Sequence, residues 1–222
     1  MKNPLKTHYD RHILPHLIEY ACGMGEIMKS RSKVVPHAEG RVLEIGIGTG
    51  LNLSFYDAGK VTSVTGVDPA AEMHHRARRR AAKVTIPVET IALELGEIQA
   101  ESKSFDSIVC TFTLCTIPDV AAAFKEMRRV LKPGGKAMVL EFSEVAEPLL
   151  RPLYDIHSFE VLPRLGKLFA NDADSYQYLA ESIRKHPNQE TLKAMMQDAG
   201  LDRCDYRNLS AGIVAIHSGF RA

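Results

Sequence analysis

The feature that most constrains this fold is a run of glycines at the end of an apolar segment. Arg41-Val42-Leu43-Glu44-Ile45 leads directly into Gly46-Ile47-Gly48-Thr49-Gly50, after which the chain reads as helical. A strand ending this way must turn sharply, and glycine tolerates both the turn and the close approach of a ligand to the backbone. Further short, largely apolar segments occur at Val61–Asp68, Val88–Ile91, Phe105–Thr111 and Lys136–Glu141. They read as strands covered on both faces. Between them, Pro69–Lys83 and Asp119–Leu131 read as helices. The second places Val120, Phe124, Met127 and Leu131 on one face and ends on Arg128 and Arg129, where cations suit the helix dipole. Lys132-Pro133-Gly134-Gly135 then supplies a turn. This alternation predicts a doubly wound α/β fold around a mostly parallel sheet.

The end of the chain changes character. Asp174–His186 and Gln189–Ala199 read as helices, the latter with Leu192, Met195, Met196 and Ala199 on one face, Asn188 as N-cap and Gly200 just beyond. Arg203–Ser210 and Gly212–Phe220 read as strands whose short connection forces them antiparallel. The expectation is one domain: a helical cap (1–40), a cofactor-binding core (41–142), a substrate-covering insertion (143–186), and a final helix and hairpin (187–222).

Composition narrows the function classes. A hydrophobic share of 45% with 25% charged residues is ordinary for a soluble globular protein. A formal net charge of +1 gives no reason to expect nucleic acid as a partner. The cysteines Cys22, Cys110, Cys115 and Cys204 are scattered, which suits free thiols in a reducing compartment. Met1–Arg11 is polar and lacks the apolar region of a signal peptide, and no apolar run approaches the ~20 residues of a membrane span. A cytoplasmic protein that could still touch a membrane surface is expected. Nothing in the sequence fixes an oligomeric state.

The glycine loop carries the chemistry. A dinucleotide fingerprint, G-x-G-x-x-G, would need glycine at position 51, which is Leu51. The spacing here is G-x-G-x-G, and Glu44 precedes its first glycine. A carboxylate there would repel a pyrophosphate but suit a ligand carrying an ammonium and a sulfonium, which favours S-adenosyl-L-methionine over a nicotinamide dinucleotide. Asp68, closing the second strand, is placed to hydrogen-bond ribose hydroxyls, although an acid before Pro69 also suits a helix cap. Glu94 and Leu95, after the third strand, would meet the adenine edge and face, and Thr111 lines the same crevice. Gly46, Gly48, Thr49 and Gly50 complete the expected cofactor-binding set with Glu44.

These motifs can be placed in a family. Glu44-Ile45-Gly46-Ile47-Gly48-Thr49-Gly50, Asp68 and Arg129-Val130-Leu131-Lys132-Pro133-Gly134-Gly135 resemble, in order, the motifs of class I S-adenosylmethionine-dependent methyltransferases. That resemblance implies a Rossmann-like, seven-stranded sheet with an antiparallel last strand. From about Arg129 to Ala222 the chain resembles the UbiE family of ubiquinone/menaquinone biosynthesis C-methyltransferases. The similar stretches include Val139-Leu140-Glu141-Phe142-Ser143, Ser158-Phe159-Glu160-Val161-Leu162-Pro163-Arg164-Leu165-Gly166 and Ala170-Asn171-Asp172-Ala173-Asp174-Ser175-Tyr176. By position in that family, Thr49, Asp68, Glu94, Leu95 and Thr111 correspond to cofactor-contacting sites. The stretches Asn52-Leu53-Ser54-Phe55-Tyr56-Asp57 and Thr113-Leu114-Cys115-Thr116-Ile117-Pro118-Asp119 instead resemble small methyltransferase-like proteins related to thiol and phospholipid methyltransferases. Where the quinone family usually carries Arg-Asn after the fourth strand, this chain has Cys115-Thr116.

The implied reaction is C-methylation of a lipid-like prenyl quinol. A small thiol, a phenol or a phospholipid head group is the alternative acceptor, and a catalytically silent cofactor-binding protein is the alternative of another class. Carbon attack needs a deprotonated ring hydroxyl. The family's Arg-Asn pair would suit holding that oxyanion; with Cys115-Thr116 in its place Tyr9 or His157 would have to compensate, His157 being also the candidate general base near neutral pH. His8, His12 and His16 share a helical spacing, but Pro15 interrupts it and no carboxylate completes a set, so no metal is expected. Arg76, Arg78, Arg79, Arg80 and Lys83 form a basic cluster that reads as a solvated face, with anionic membrane contact as the sharper alternative. Cys115 reads as a thiol lining the site, since no His-Asp partner stands at readable spacing.

Overall fold

A computed structural model describes residues 25–93, 98–145 and 186–222. In chain order these form α1 (Gly25–Arg31), β1 (Gly40–Ile45), β2 (Val61–Asp68), α2 (His74–Ala81), β3 (Val88–Ala92), β4 (Phe105–Thr111), α3 (Val120–Val130), β5 (Leu131–Phe142), α4 (Gln189–Asp198), β6 (Asp202–Leu209) and β7 (Val214–Phe220). The strands make one seven-stranded sheet in the order β3-β2-β1-β4-β5-β7-β6. β1, β2, β3, β4 and β5 run parallel to one another, and β7 runs antiparallel to both β5 and β6. The doubly wound sheet and its antiparallel ending are as the sequence implies.

Alternation along the strands splits the core into two layers. Leu43, Ile45, Ile108 and Cys110 face one side and pack with Phe124 and Met127 of α3 and Leu192 and Met196 of α4. Val42, Val64, Val109 and Leu140 face the other, under Val34, Val35, Leu53 and Ile86. The helix ends follow local chemistry: Asp119 accepts the Ala122 N–H at 2.8 Å to cap α3, and Asn188 accepts the Thr191 N–H at 2.9 Å to cap α4. Gly200 ends α4 at φ 84°.

Three stretches differ from expectation by more than two residues. The glycine loop does not feed an α-helix; it feeds a short 3₁₀ turn, Leu53–Phe55, which stops at extended Tyr56. The side chains of Asn52 and Tyr56 point inward to Glu44, one on each of its carboxylate oxygens. The segment expected as a helix from Pro69 starts later, because Asp68 takes the Ala70 N–H at 2.8 Å and Ala71–Met73 forms a 3₁₀ turn before α2. β5 begins earlier, since Leu131 already pairs with Phe105, and the Lys132–Gly135 turn is a break in register inside the strand.

β2 lies on one side of β1 and β4 on the other, so the chain changes direction across the sheet at β1. Open α/β sheets bind ligands at the carboxyl ends of strands beside such a switch. The glycine loop leaves β1 there.

Candidate functional site at the carboxyl edge of the sheet

Beneath the loop lies a buried polar cluster. Glu44 is 1% exposed. Its Oε1 accepts from Asn52 Nδ2 at 2.9 Å, and its Oε2 accepts from the Tyr56 hydroxyl at 2.8 Å. Asn52 Nδ2 also donates to Thr111 Oγ1 at 3.0 Å, tying the loop to the end of β4. Arg31, at the end of α1, donates from Nη1 to Asn52 Oδ1 at 2.9 Å and to Thr111 Oγ1. Its guanidinium lies 5.1 Å from the centre of the Phe112 ring. Burial pushes the Glu44 carboxyl up to about 7, against the opposing pull of Tyr56, the Arg31 charge and Asn52. Glu44 therefore supports the loop from below; its two oxygens serve Asn52 and Tyr56.

Above the cluster, the loop is fixed by backbone geometry. Gly46, Gly48 and Gly50 have φ of 72°, 52° and 82°. At Gly46 a Cβ would overlap the Thr113 side chain, so this glycine is required by packing as well as by conformation. At Gly48 a Cβ would meet nothing nearer than Met73 Sδ at 3.8 Å and Asp68 Oδ2 at 3.9 Å. Only backbone conformation demands glycine there, and the bare Cα leaves a cradle that a side chain would fill. Thr49 is buried, and its carbonyl accepts from Arg80, so one member of the basic cluster on α2 is pinned to the loop. Arg78, Arg79 and Lys83 are exposed.

Asp68 ends β2 beside this cradle. Its Oδ2 accepts the Gly48 N–H at 2.9 Å while Oδ1 holds Ala70. Burial raises its pKa, opposed by the Ala70 and Gly48 N–H groups. A carboxylate has about four acceptor positions, so two bonds leave Asp68 with capacity for vicinal hydroxyls. The cap reading and the ligand reading of Asp68 are thus compatible.

The opposite wall is the turn after β4. Phe112 has φ 54° and packs on Phe142 with ring centres 4.8 Å apart. Leu114–Thr116 forms a 3₁₀ turn. Cys115 is half-buried, and burial and the neighbouring Glu141 carboxylate push its thiol far up, so it is no thiolate nucleophile. Cys110, Cys115 and Cys204 are free thiols.

Of the residues singled out in the sequence, the structure brings Glu44, Gly46, Gly48, Thr49, Gly50, Asp68 and Thr111 together at one edge. Glu94, Leu95, Tyr9, His157 and the histidines His8, His12 and His16 lie outside the described residues, as does nearly all of the 143–186 insertion. Arg31, Asn52, Tyr56, Thr113 and Glu141 were not anticipated. Arg31 and Thr111 are eighty positions apart in the chain, and no periodicity links Glu44 to Asn52 and Tyr56. Among the described residues no helix is long and apolar enough to cross a membrane.

Comparison with known proteins agrees with this architecture. The chain is 63% identical over 118 residues to the ubiquinone/menaquinone biosynthesis C-methyltransferase UbiE of Stenotrophomonas maltophilia (strain R551-3), covering 53% of this chain and 47% of that protein. Its similarity to UbiE of Xylella fastidiosa (strain M12) is 54% over 138 residues, 62% of this chain and 54% of that protein. The chain thus spans about half the length of the curated relatives it matches. Two solved structures share the fold. Haemonchus contortus phosphoethanolamine N-methyltransferase 2, in complex with S-adenosyl-L-methionine, superposes with a TM-score of 0.69 at 14% identity, covering 99% of this chain and 60% of that one. An S-adenosylmethionine-dependent methyltransferase from Mesorhizobium loti gives 0.61 at 16% identity, covering 90% and 99%. At the level of the whole sequence, the model of the ubiE/COQ5 methyltransferase family matches residues 13–221, and the chain belongs to that family.

Proposed function

We propose that this protein is an S-adenosyl-L-methionine-dependent methyltransferase that C-methylates a polyprenyl quinol ring. The observation that carries the cofactor reading is the joint placement of Gly48 and Asp68. The loop offers a bare Cα, and the carboxylate that grips its N–H at 2.9 Å retains acceptor capacity. Gly46, Gly48 and Gly50 would let the cofactor lie on the backbone, Asp68 would hold ribose hydroxyls, and Glu44 would act by holding the loop in place from beneath. Glu94 and Leu95 belong to this reading as the adenine contacts. When bound, the cofactor supplies an electrophilic methyl group. The chain then has to hold the acceptor carbon in line and exclude water.

The quinol is favoured by family membership and by the curated relatives' names. The ring hydroxyl must lose its proton as the carbon attacks, and Tyr9 and His157 are the proposed groups for that step. A second acceptor class has one observation in its favour. The turn Thr113-Leu114-Cys115-Thr116 carries no cation of its own and lies over the Glu141 carboxylate, which ill suits a ring oxyanion and better suits an acceptor atom that gains positive charge, such as the amine of a phospholipid head group. The test is transfer of labelled methyl from S-adenosylmethionine to a demethylated prenyl quinol, run beside a small alkyl thiol and a phospholipid. Labelled quinol supports the reading. Label in the thiol or phospholipid alone replaces the acceptor, and no label in any of them replaces the reaction.

A further inference from the structure

The site described above gives no task to Glu141, a carboxylate that is 1% exposed. It stands on β5 next to the end of β4, where Leu140 pairs with Thr111, and it pairs with Ala215 on β7. Its Oε2 accepts the Cys115 N–H at 3.3 Å, and its Oε1 accepts the Phe142 N–H at 2.9 Å. The Cys115 thiol lies against the same carboxylate. Cys115 thus ties one short turn to one buried carboxylate.

Such an arrangement is expensive to keep if packing were its only purpose. A buried carboxylate is retained without large loss only where donors surround it, and an apolar side chain of similar volume would often serve stability as well. Here the carboxylate dictates geometry. With the Cys115 N–H held inward by Glu141 and the Thr116 N–H bonded to the Thr113 carbonyl, the 113–116 segment keeps the exposed Thr116 at its crest along the carboxyl edge of the sheet. The turn is closed on itself by the Thr116 hydroxyl, which donates to the Thr113 carbonyl at 2.7 Å. Its other end is fixed to the glycine loop, because the Thr113 side chain occupies the space a Cβ on Gly46 would need. Thr113 Oγ1 also donates to the Thr111 carbonyl at 3.1 Å.

We propose that Glu141 is a positioning residue for methyl transfer: it holds the Thr113–Thr116 turn as the wall against which the acceptor is set, and through Thr113 it keeps that wall aligned with the Gly46 end of the cofactor loop. The inference rests on the methyltransferase reading, which puts the acceptor over the end of β4. Glutamine at this position keeps the shape but turns an NH₂ group toward N–H donors, so the turn must shift. Aspartate keeps the charge with a shorter reach.

The experiment uses the full chain and whichever of the three acceptors becomes labelled. Glu141→Gln should lower kcat/KM for that acceptor by about tenfold or more while the Kd for S-adenosylhomocysteine stays within about twofold. Glu141→Asp should recover part of the lost turnover. Unchanged kcat and acceptor KM in Glu141→Gln would overturn the proposal. So would a loss of S-adenosylhomocysteine affinity in step with turnover, which is what a purely structural role gives. Should Glu141→Gln fail to fold, Thr116→Gln at the exposed crest of the turn reads the same wall. It should raise the acceptor KM about fivefold at constant S-adenosylhomocysteine affinity, and an unchanged KM overturns the proposal. If the unaltered protein binds no S-adenosylhomocysteine, the methyltransferase reading itself fails, a separate result from any of these.

Discussion

The Tyr56 hydroxyl donates to Glu44 Oε2 across 2.8 Å, from a residue on the far side of the glycine loop to one buried in β1. This bond makes the loop's support sensitive to pH. Burial raises the Glu44 carboxyl from 4.5 to about 7 in the fold. Its contribution to stability is therefore fully present below pH 4.5 and is lost as pH rises through 7. Tyr56→Phe removes a donor that favours the ionised form, so its penalty should be small at pH 5.5 and reach about 1–3 kcal/mol at pH 8.5. Urea unfolding of both proteins at the two pH values checks this. An equal penalty at both would mean the bond does not depend on the charge of Glu44.

Gly46 and Gly48 have similar backbone conformations but different surroundings, so alanine should act differently at each. Gly46→Ala combines a left-handed residue with overlap against Thr113, and it should destabilise by more than the ~1–2 kcal/mol of the backbone alone. Gly48→Ala meets no close neighbour, so its loss should stay near that backbone figure of ~1–2 kcal/mol. Its methyl nevertheless fills the cradle beside Asp68. Thermal unfolding together with calorimetric titration of S-adenosylhomocysteine separates the two: Gly48→Ala should remain folded and lose binding. Normal binding in folded Gly48→Ala would remove this face of the loop from the cofactor site.

What the sequence reveals and what it hides follow from the range of the forces involved. β2 and β4 were legible to the residue, because β-branched residues recur in both (Val61, Val64 and Val67 in β2, Ile108 and Val109 in β4). The antiparallel ending was legible because three residues cannot carry the chain across a sheet. The helix expected after Gly50 was not, because the chain turns extended at Tyr56 after one 3₁₀ turn, and the Glu44 carboxylate that holds Asn52 and Tyr56 leaves no local mark on that segment. Glu141 illustrates the same blindness. It appeared only as one letter in an apolar strand, and its partner turn lies 26 residues earlier in the chain. Glycines and strand-end acids declare themselves locally, whereas the side chains that hold them in place are fixed by tertiary contact.

Asp68 joins structure to binding, and two substitutions divide its roles. Asp68→Ala loses the contacts to Gly48 and Ala70 together with the proposed ribose contact, so affinity for S-adenosylhomocysteine should fall by about 1–3 kcal/mol. Asp68→Asn keeps an acceptor for only one of the two N–H groups. It should destabilise the loop nearly as much as alanine, because its NH₂ group faces a donor. Calorimetry and thermal unfolding of the pair provide the check. Full affinity in folded Asp68→Ala would leave Asp68 as a cap alone.

The last prediction concerns acid. His186 and His217 are both buried where α4 meets the final hairpin. His217 Nε2 lies 2.9 Å from the Gln189 carbonyl, and the Gln189 side chain donates to the Glu144 carbonyl at 2.8 Å and to Asn208 Oδ1 at 3.1 Å. Burial, reinforced by His217, lowers His186 from 6.5 to about 4. His217 is lowered too, by burial, while the carboxylates of Glu190 and Asp205 pull the other way. Between pH 6.5 and 4 the unfolded chain takes up a proton at His186 that the native fold refuses, so this contribution to stability is present above 6.5 and is lost as pH falls through 4. The full loss is on the order of 3 kcal/mol. Glu44 and Glu141, both raised from 4.5 to about 7, act in the opposite direction and gain stability as pH falls. The unaltered protein alone therefore cannot isolate the histidine. His186→Phe fills the site without titrating. The stability of His186→Phe relative to the parent should rise steadily as pH falls from 7 to 4.5. Urea unfolding of both proteins across that range measures the difference, and a difference that stays constant with pH would show that His186 is not held neutral in the fold.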